Sequence, residues 1–108
     1  AQTPLDSIAR YIESNPGATH SVDKLAQQVH LSPSRFSHVF KEHFGISVHA
    51  YVTQVRIRRA KRLLRSSTLT AAQVASELGY GSPYHFYAAF KKATGMTALK
   101  WRANPARK

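Results

Sequence analysis

The chain repeats itself, and the repeat limits what it can fold into. Shifted by 50 positions, Ser32-Pro33 falls on Ser82-Pro83, Phe36 on Phe86, Phe40 on Phe90, Lys41 on Lys91 and Gly45 on Gly95. The match runs on through Ile46 and Met96, Ser47 and Thr97, and Tyr51 and Trp101. Upstream the shift is 49, pairing Ser21 with Thr70, Leu25 with Val74, Ala26 with Ala75 and Val29 with Leu78. The one-residue difference falls in a turn, His30-Leu31 against Gly79-Tyr80-Gly81, where an insertion is easily absorbed. Two copies are too few for a solenoid, which needs about three stacked units to bury a continuous core. They read instead as a duplicated short helix, tight turn and longer helix.

Helix signals punctuate the whole chain, and alternating β-branched runs are scarce. Thr3-Pro4-Leu5-Asp6 is a helix start, with Thr as cap, Pro at the first position and Asp at the third. Leu5, Ile8, Ala9 and Ile12 follow at helical spacing, and Asn15-Pro16-Gly17 ends that segment. Ser21 caps a short helix, and Ser32-Pro33 starts the next, which Gly45 ends. Ser47 caps a long helix from about Val48 to Arg65. Thr70-Ala71-Ala72-Gln73 is a capping box, Ser82-Pro83 starts a helix that ends at Gly95, and a last short turn carries Leu99 and Trp101. Residues 103–108 read as a loose basic tail. The long helix changes its apolar side midway: Val48, Val52 and Val55 line one face, and Ile57, Ala60 and Leu64 another. It therefore packs first against one partner and then against a second.

Charge narrows the class of partner. The 108 residues carry 16 Lys+Arg against 5 Asp+Glu, a formal charge of +11 that suggests a polyanionic partner, either nucleic acid or an acidic membrane surface. Residues 1–47 hold four basic and four acidic side chains. Residues 48–66 hold Arg56, Arg58, Arg59, Lys61, Arg62 and Arg65 with no acid, and residues 67–108 hold six basic side chains against Glu77 alone. The excess therefore lies in the second part of the chain. Length favours a single compact domain, and apolar runs of only a few residues exclude a membrane span. No secretory leader opens the sequence, and the absence of cysteine excludes a disulfide scaffold or a Cys-ligated zinc module. His20, His30, His38, His43, His49 and His85 show no metal-binding spacing, so no metal and no cofactor is expected. Ser34 or Ser37 beside His38 lacks an orienting carboxylate and an oxyanion loop, so the chain is not read as an enzyme.

A short helix, a turn and a second helix with an apolar back is the layout of a helix-turn-helix, whose second helix fits the major groove of duplex DNA. On a helical wheel Phe36, Val39, Phe40 and His43 form the back of the first such helix, and Ser34, Ser37, His38 and Lys41 its front, with Arg35 on the flank. In the second, Phe86, Ala89, Phe90 and Ala93 form the back, and Tyr84, Tyr87, Ala88 and Lys91 the front. The fronts occupy equivalent positions with unlike contents, so the two are expected to read different half-sites. The phenylalanine pairs are assigned to the core, and His43 with them.

The stretch Arg56-Ile57-Arg58-Arg59-Ala60-Lys61-Arg62-Leu63-Leu64, then Val74-Ala75 through Gly79-Tyr80, then Phe86 with Phe90-Lys91-Lys92 and Gly95, resembles the C-terminal DNA-binding domain of the AraC/XylS family of bacterial transcription regulators. Leu31-Ser32-Pro33-Ser34-Arg35, with Ser37-His38 and Gly45-Ile46-Ser47-Val48, is similar to the arabinose-regulator type, and the likeness covers roughly residues 5–103. It implies an all-α fold of seven helices, in which a long central helix at about 48–65 joins helix-turn-helix lobes at about 21–44 and 70–93, each a homeodomain-like three-helix unit. It implies sequence-specific binding of double-stranded promoter DNA in two successive major-groove segments, by a cytoplasmic regulator that is an activator by family tendency. Where the family often carries a Ser-Arg pair in the second recognition helix, this chain has Tyr87-Ala88.

The expected base-reading residues are Ser34, Ser37, His38, Tyr84, Tyr87 and Ala88. The expected phosphate-binding residues are Ser32, Arg35, Lys41, Arg58, Arg62, Ser82, Lys91 and Lys92. In this division the first lobe does most of the reading, while the basic second lobe and central helix mainly hold the backbone. RNA polymerase is an expected partner and a membrane is not. A chain that opens at Ala1 without Met is expected to be either a fragment of a larger regulator, with an N-terminal sensor or dimerisation domain, or one of the self-contained members of this size that the family also contains. The competing reading is a non-specific architectural nucleic-acid-binding protein. A membrane-surface helical protein ranks lower, because the apolar faces are committed to the repeat core.

Overall fold

The computed structural model describes residues 3–103, and among them it holds seven helices and no strand. They are α1 (Pro4–Ser14), α2 (Val22–Gln28), α3 (Pro33–Phe44), α4 (Val48–Ser66), α5 (Ala71–Glu77), α6 (Pro83–Thr94) and α7 (Ala98–Ala103). The all-α, seven-helix expectation holds. Ala103 closes α7, and the remainder of the tail assigned to 103–108 lies outside the described residues.

Local chemistry accounts for the helix starts. Thr3 Oγ1 accepts the Asp6 backbone N–H at 3.2 Å, and the Thr3 N–H donates to Asp6 Oδ2 at 3.0 Å, a reciprocal capping box. Thr70 and Gln73 repeat it on α5, at 3.1 and 2.8 Å. Ser21, Ser32 and Ser82 accept from Lys24, Arg35 and Tyr84. Ser47 and Thr97 cap α4 and α7 through Ala50 and Lys100, each at 3.1 Å. Each of these bonds satisfies a backbone donor that the first helical turn leaves without an intrahelical partner.

The chain divides into two compact units, Ala1–Val55 and Arg56–Lys108, the boundary falling inside α4 where its apolar face changes. In the first unit Ile8, Ile12, Leu25, Ala26, Phe36, Phe40, Val48, Val52 and Val55 form the buried cluster. In the second, Ile57, Ala60, Leu64, Ala71, Val74, Ala75, Leu78, Phe86, Phe90 and Ala98 do the same. Aromatic rings fill both. Phe40 sits 5.8, 4.5 and 5.6 Å from Phe36, Phe44 and Tyr51, and Phe90 sits 5.7 and 5.9 Å from Phe86 and Trp101.

Two sequence assignments to the core are corrected. His43 is 39% exposed at its side chain, and its Nε2 lies 3.3 Å from Asp6 Oδ1. Ala93, its counterpart in the repeat, is exposed as well. Both residues sit on the rim: at the end of α3 it is Phe44 that packs on Phe40, while His43 turns to Asp6.

Candidate nucleic-acid interface

Each copy of the motif turns by the same hydrogen bonds. The Leu31 N–H donates to the Ala26 carbonyl and the His30 N–H to Gln27, at 3.0 and 3.2 Å. Tyr80 and Gly79 bond to Ala75 and Ser76 at 3.0 and 3.1 Å in the second copy. This is the Schellman ending, which needs a left-handed residue after the cap. His30 supplies it at φ 59°, and Gly79 at φ 85°. Because the bonds match through Leu31 and Tyr80, the extra residue of the second copy is Gly81, just before the cap of α6.

The turn delivers α3 and α6 with their backs buried and their fronts open. Phe36 and Phe40 are fully buried, Val39 is half-buried, and Ser34, Arg35, Ser37, His38 and Lys41 are exposed. On α6 the same division holds: Phe86 and Phe90 are fully buried, Ala89 is half-buried, and Tyr84, Tyr87, Ala88, Lys91 and Lys92 are exposed. The expected base-reading residues thus form an open face within each unit, three on α3 and three on α6. His85, on the α6 flank, is also exposed, at the position where the repeat places Arg35. The shift of 50 applied to Arg35 would have found it.

The two fronts differ in chemistry. On α3 they carry two hydroxyls, an imidazole and an ammonium group, and His38 Nε2 lies 3.6 Å from Glu42 Oε2 one turn on. This corrects the expectation that no carboxylate accompanies His38: Glu42 stands at the i,i+4 spacing on the same helix face. On α6 they carry two phenol rings, a methyl group and an ammonium group. The Tyr84 and Tyr87 rings meet edge to face at 6.0 Å, and Tyr87 lies 6.0 Å from buried Phe86.

The phosphate candidates fall into two sets. Ser32 and Ser82 spend an oxygen lone pair on capping, which leaves the O–H free to donate. Arg58 and Arg62, one turn apart on α4, are exposed. Lys61 and Arg65, which the wheel puts on the same basic edge, instead fold over Trp101, with Lys61 Nζ 5.3 Å and the Arg65 guanidinium 4.0 Å from its ring. Trp101 is fixed by its own Nε1–H, which donates to the Lys61 carbonyl at 3.1 Å, and Arg102 Nε donates to the Leu64 carbonyl at 2.6 Å. Burial raises the Tyr80 phenol above its ordinary pKa, and the Arg56 guanidinium, 5.3 Å from its ring, pulls it back. The unit Ala1–Val55 carries four basic and four acidic side chains, while Arg56–Lys108 carries twelve basic side chains against Glu77. No described helix is long and apolar enough to cross a membrane.

Two short-helix, turn, long-helix units with buried backs and open fronts define a protein of the helix-turn-helix class. A family described as "Helix-turn-helix domain" matches residues 25–104. The chain is 37% identical over 105 residues to the arabinose operon regulatory protein of Salmonella typhimurium, covering 93% of this chain and 37% of that protein. It is 35% identical to the Escherichia coli K12 protein of the same name, covering 93% of this chain and 36% of that one. The C-terminal domain of AraT, a response regulator from Geobacillus stearothermophilus, superposes with a TM-score of 0.88 at 25% identity, covering 99% of this chain and 93% of that one. The chain belongs to the AraC/XylS family of transcription regulators. It spans little more than a third of the length of the arabinose regulators it matches.

Proposed function

We propose that residues 1–108 are the sequence-specific DNA-binding domain of a cytoplasmic bacterial transcription activator. Its helix-turn-helix motifs lie at about 21–44 and 70–93, and α3 and α6 each enter a major-groove segment of double-stranded promoter DNA. In the longer regulator it works with an N-terminal sensor or dimerisation domain and with RNA polymerase, and it performs no catalysis of its own. One observation carries the reading. Two helices hold fully buried phenylalanines behind and open, unlike fronts ahead, at equivalent positions of one repeat. A protein that only coats polyanions has no use for that arrangement.

Ser34, Ser37 and His38 are the base-reading side chains of α3, as are Tyr84, Tyr87 and Ala88 of α6. Arg35, Lys41, Arg58, Arg62, Lys91 and Lys92, with the Ser32 and Ser82 hydroxyls, hold phosphates. The near-neutral first unit reads by hydrogen bonds, and the basic second unit supplies most of the backbone grip. The competing architectural reading gives a different affinity ratio. At fixed salt, a selected site is expected to bind about 10³-fold or more tighter than an unrelated duplex, and a ratio near one overturns the proposal.

A further inference from the structure

We propose that α6 reads the C5-methyl groups of thymine, so that the half-site under the second unit is specified by methyl positions rather than by hydrogen-bonding base edges. The inference rests on the DNA-binding reading above and deepens it.

Four large hydrophobic residues stand exposed among the described residues, and three of them lie on α6 and α7: Tyr84 at 76%, Leu99 at 68% and Tyr87 at 36%. Tyr87 is held forward by its contact with buried Phe86, and Tyr84 leans edge-on against it. Beside them Tyr87, Ala88, Lys91, Ala98 and Leu99 help to line an almost wholly apolar hollow of about 420 Å³. An exposed apolar patch of this kind marks a contact surface. Its surroundings set the partner. Lys91 lines the hollow itself, Lys92 follows it and Lys100 is exposed on α7, while Glu77 is the single acidic residue from 56 to 108. The occupant must therefore be an anion that also presents apolar groups. In the major groove of duplex DNA that description fits the thymine methyl, the apolar group among the donors and acceptors displayed there.

Comparison with α3 sharpens the point. Where α3 has Ser34, Ser37 and His38, α6 has Tyr84, Tyr87 and Ala88. Ala88 offers neither donor nor acceptor, and each tyrosine offers one hydroxyl at the far end of a ring. Tyr84, Tyr87 and Ala88 cannot make the bidentate contacts that identify guanine or adenine, and Lys91 is assigned to phosphate. They can pack a methyl and a ring edge against methyls, which is how alanine discriminates thymine.

The test replaces each thymine of a selected duplex, one at a time, by deoxyuridine, which removes the methyl and keeps the pairing and charge. Affinity of the whole chain is measured by fluorescence anisotropy, with melting curves confirming that every variant folds. In one half-site each sensitive thymine is expected to cost about fourfold in affinity, the factor carried by burial of one methyl. That penalty is expected to vanish in Tyr87→Ala or Tyr84→Ala and to persist in His38→Ala. Specific binding without a thymine penalty, or a penalty that survives both tyrosine variants, overturns methyl reading and leaves DNA recognition standing. Failure to bind any sequence specifically overturns both.

Discussion

Under the proposed division of reading and holding, two single substitutions are expected to separate the two roles. Lys92 is exposed, and among the described residues no carboxylate pairs with it, so its full charge is free to displace a counterion from DNA. Loss of one phosphate contact lowers the slope of log K against log salt by about 0.9. Lys92→Ala should therefore flatten the slope by about that amount on every duplex. The wild-type advantage would shrink about 3.5-fold between roughly 50 and 200 mM salt, with the ratio of selected to scrambled sequence unchanged. His38 is on the open face of α3, where a good base contact discriminates by about 1–3 kcal/mol. His38→Ala should reduce discrimination about fivefold or more at a few base pairs and leave the slope in place. The assay is fluorescence anisotropy on selected and scrambled duplexes at four salt concentrations and one pH. The reasoning is refuted if Lys92→Ala changes the sequence ratio, or if His38→Ala flattens the slope equally on both duplexes.

Stability offers further checks. His30 occupies a left-handed position where the second copy has Gly79, so His30→Gly should stabilise by about 0.5–1 kcal/mol and Gly79→Ala should destabilise by at least about 1 kcal/mol, read from urea unfolding. Phe36→Ala should cost about 3–5 kcal/mol by the same measurement, and a cost below about 1 kcal/mol would contradict its place in the core. The Asp6 carboxyl is held below its ordinary value of 3.8, first by the Thr3 backbone N–H and then by the His43 imidazole. A lowered value means that the stabilisation is present above pH 3.8 and is lost as pH falls through the folded-state value. Asp6→Asn should therefore flatten the acid side of a melting-temperature profile, and an unchanged profile would remove Asp6 from it.

What could be read from the sequence was what local chemistry decides. Caps at Thr3, Ser21, Ser32, Thr70 and Ser82 involve neighbours two or three residues away, so the residues themselves announce them. The change of apolar face along α4 was equally plain, since Val55 and Ile57 lie on opposite sides of the unit boundary. Which residue of a helix's last turn reaches the core was not legible. A wheel gives the angle of His43 and Ala93 but not that both stay exposed, with Phe44 packing on Phe40 beside His43. The capture of Lys61 and Arg65 by Trp101 depends on a contact some forty residues distant, of which no local pattern carries a trace.

Selection of binding sites from random duplex DNA, run in parallel on the wild-type chain, His38→Ala and Tyr87→Ala, tests two-helix recognition most directly. Two unlike half-sites are expected, one degraded only by His38→Ala and the other only by Tyr87→Ala. No enrichment, or a single half-site altered alike by both substitutions, would contradict it.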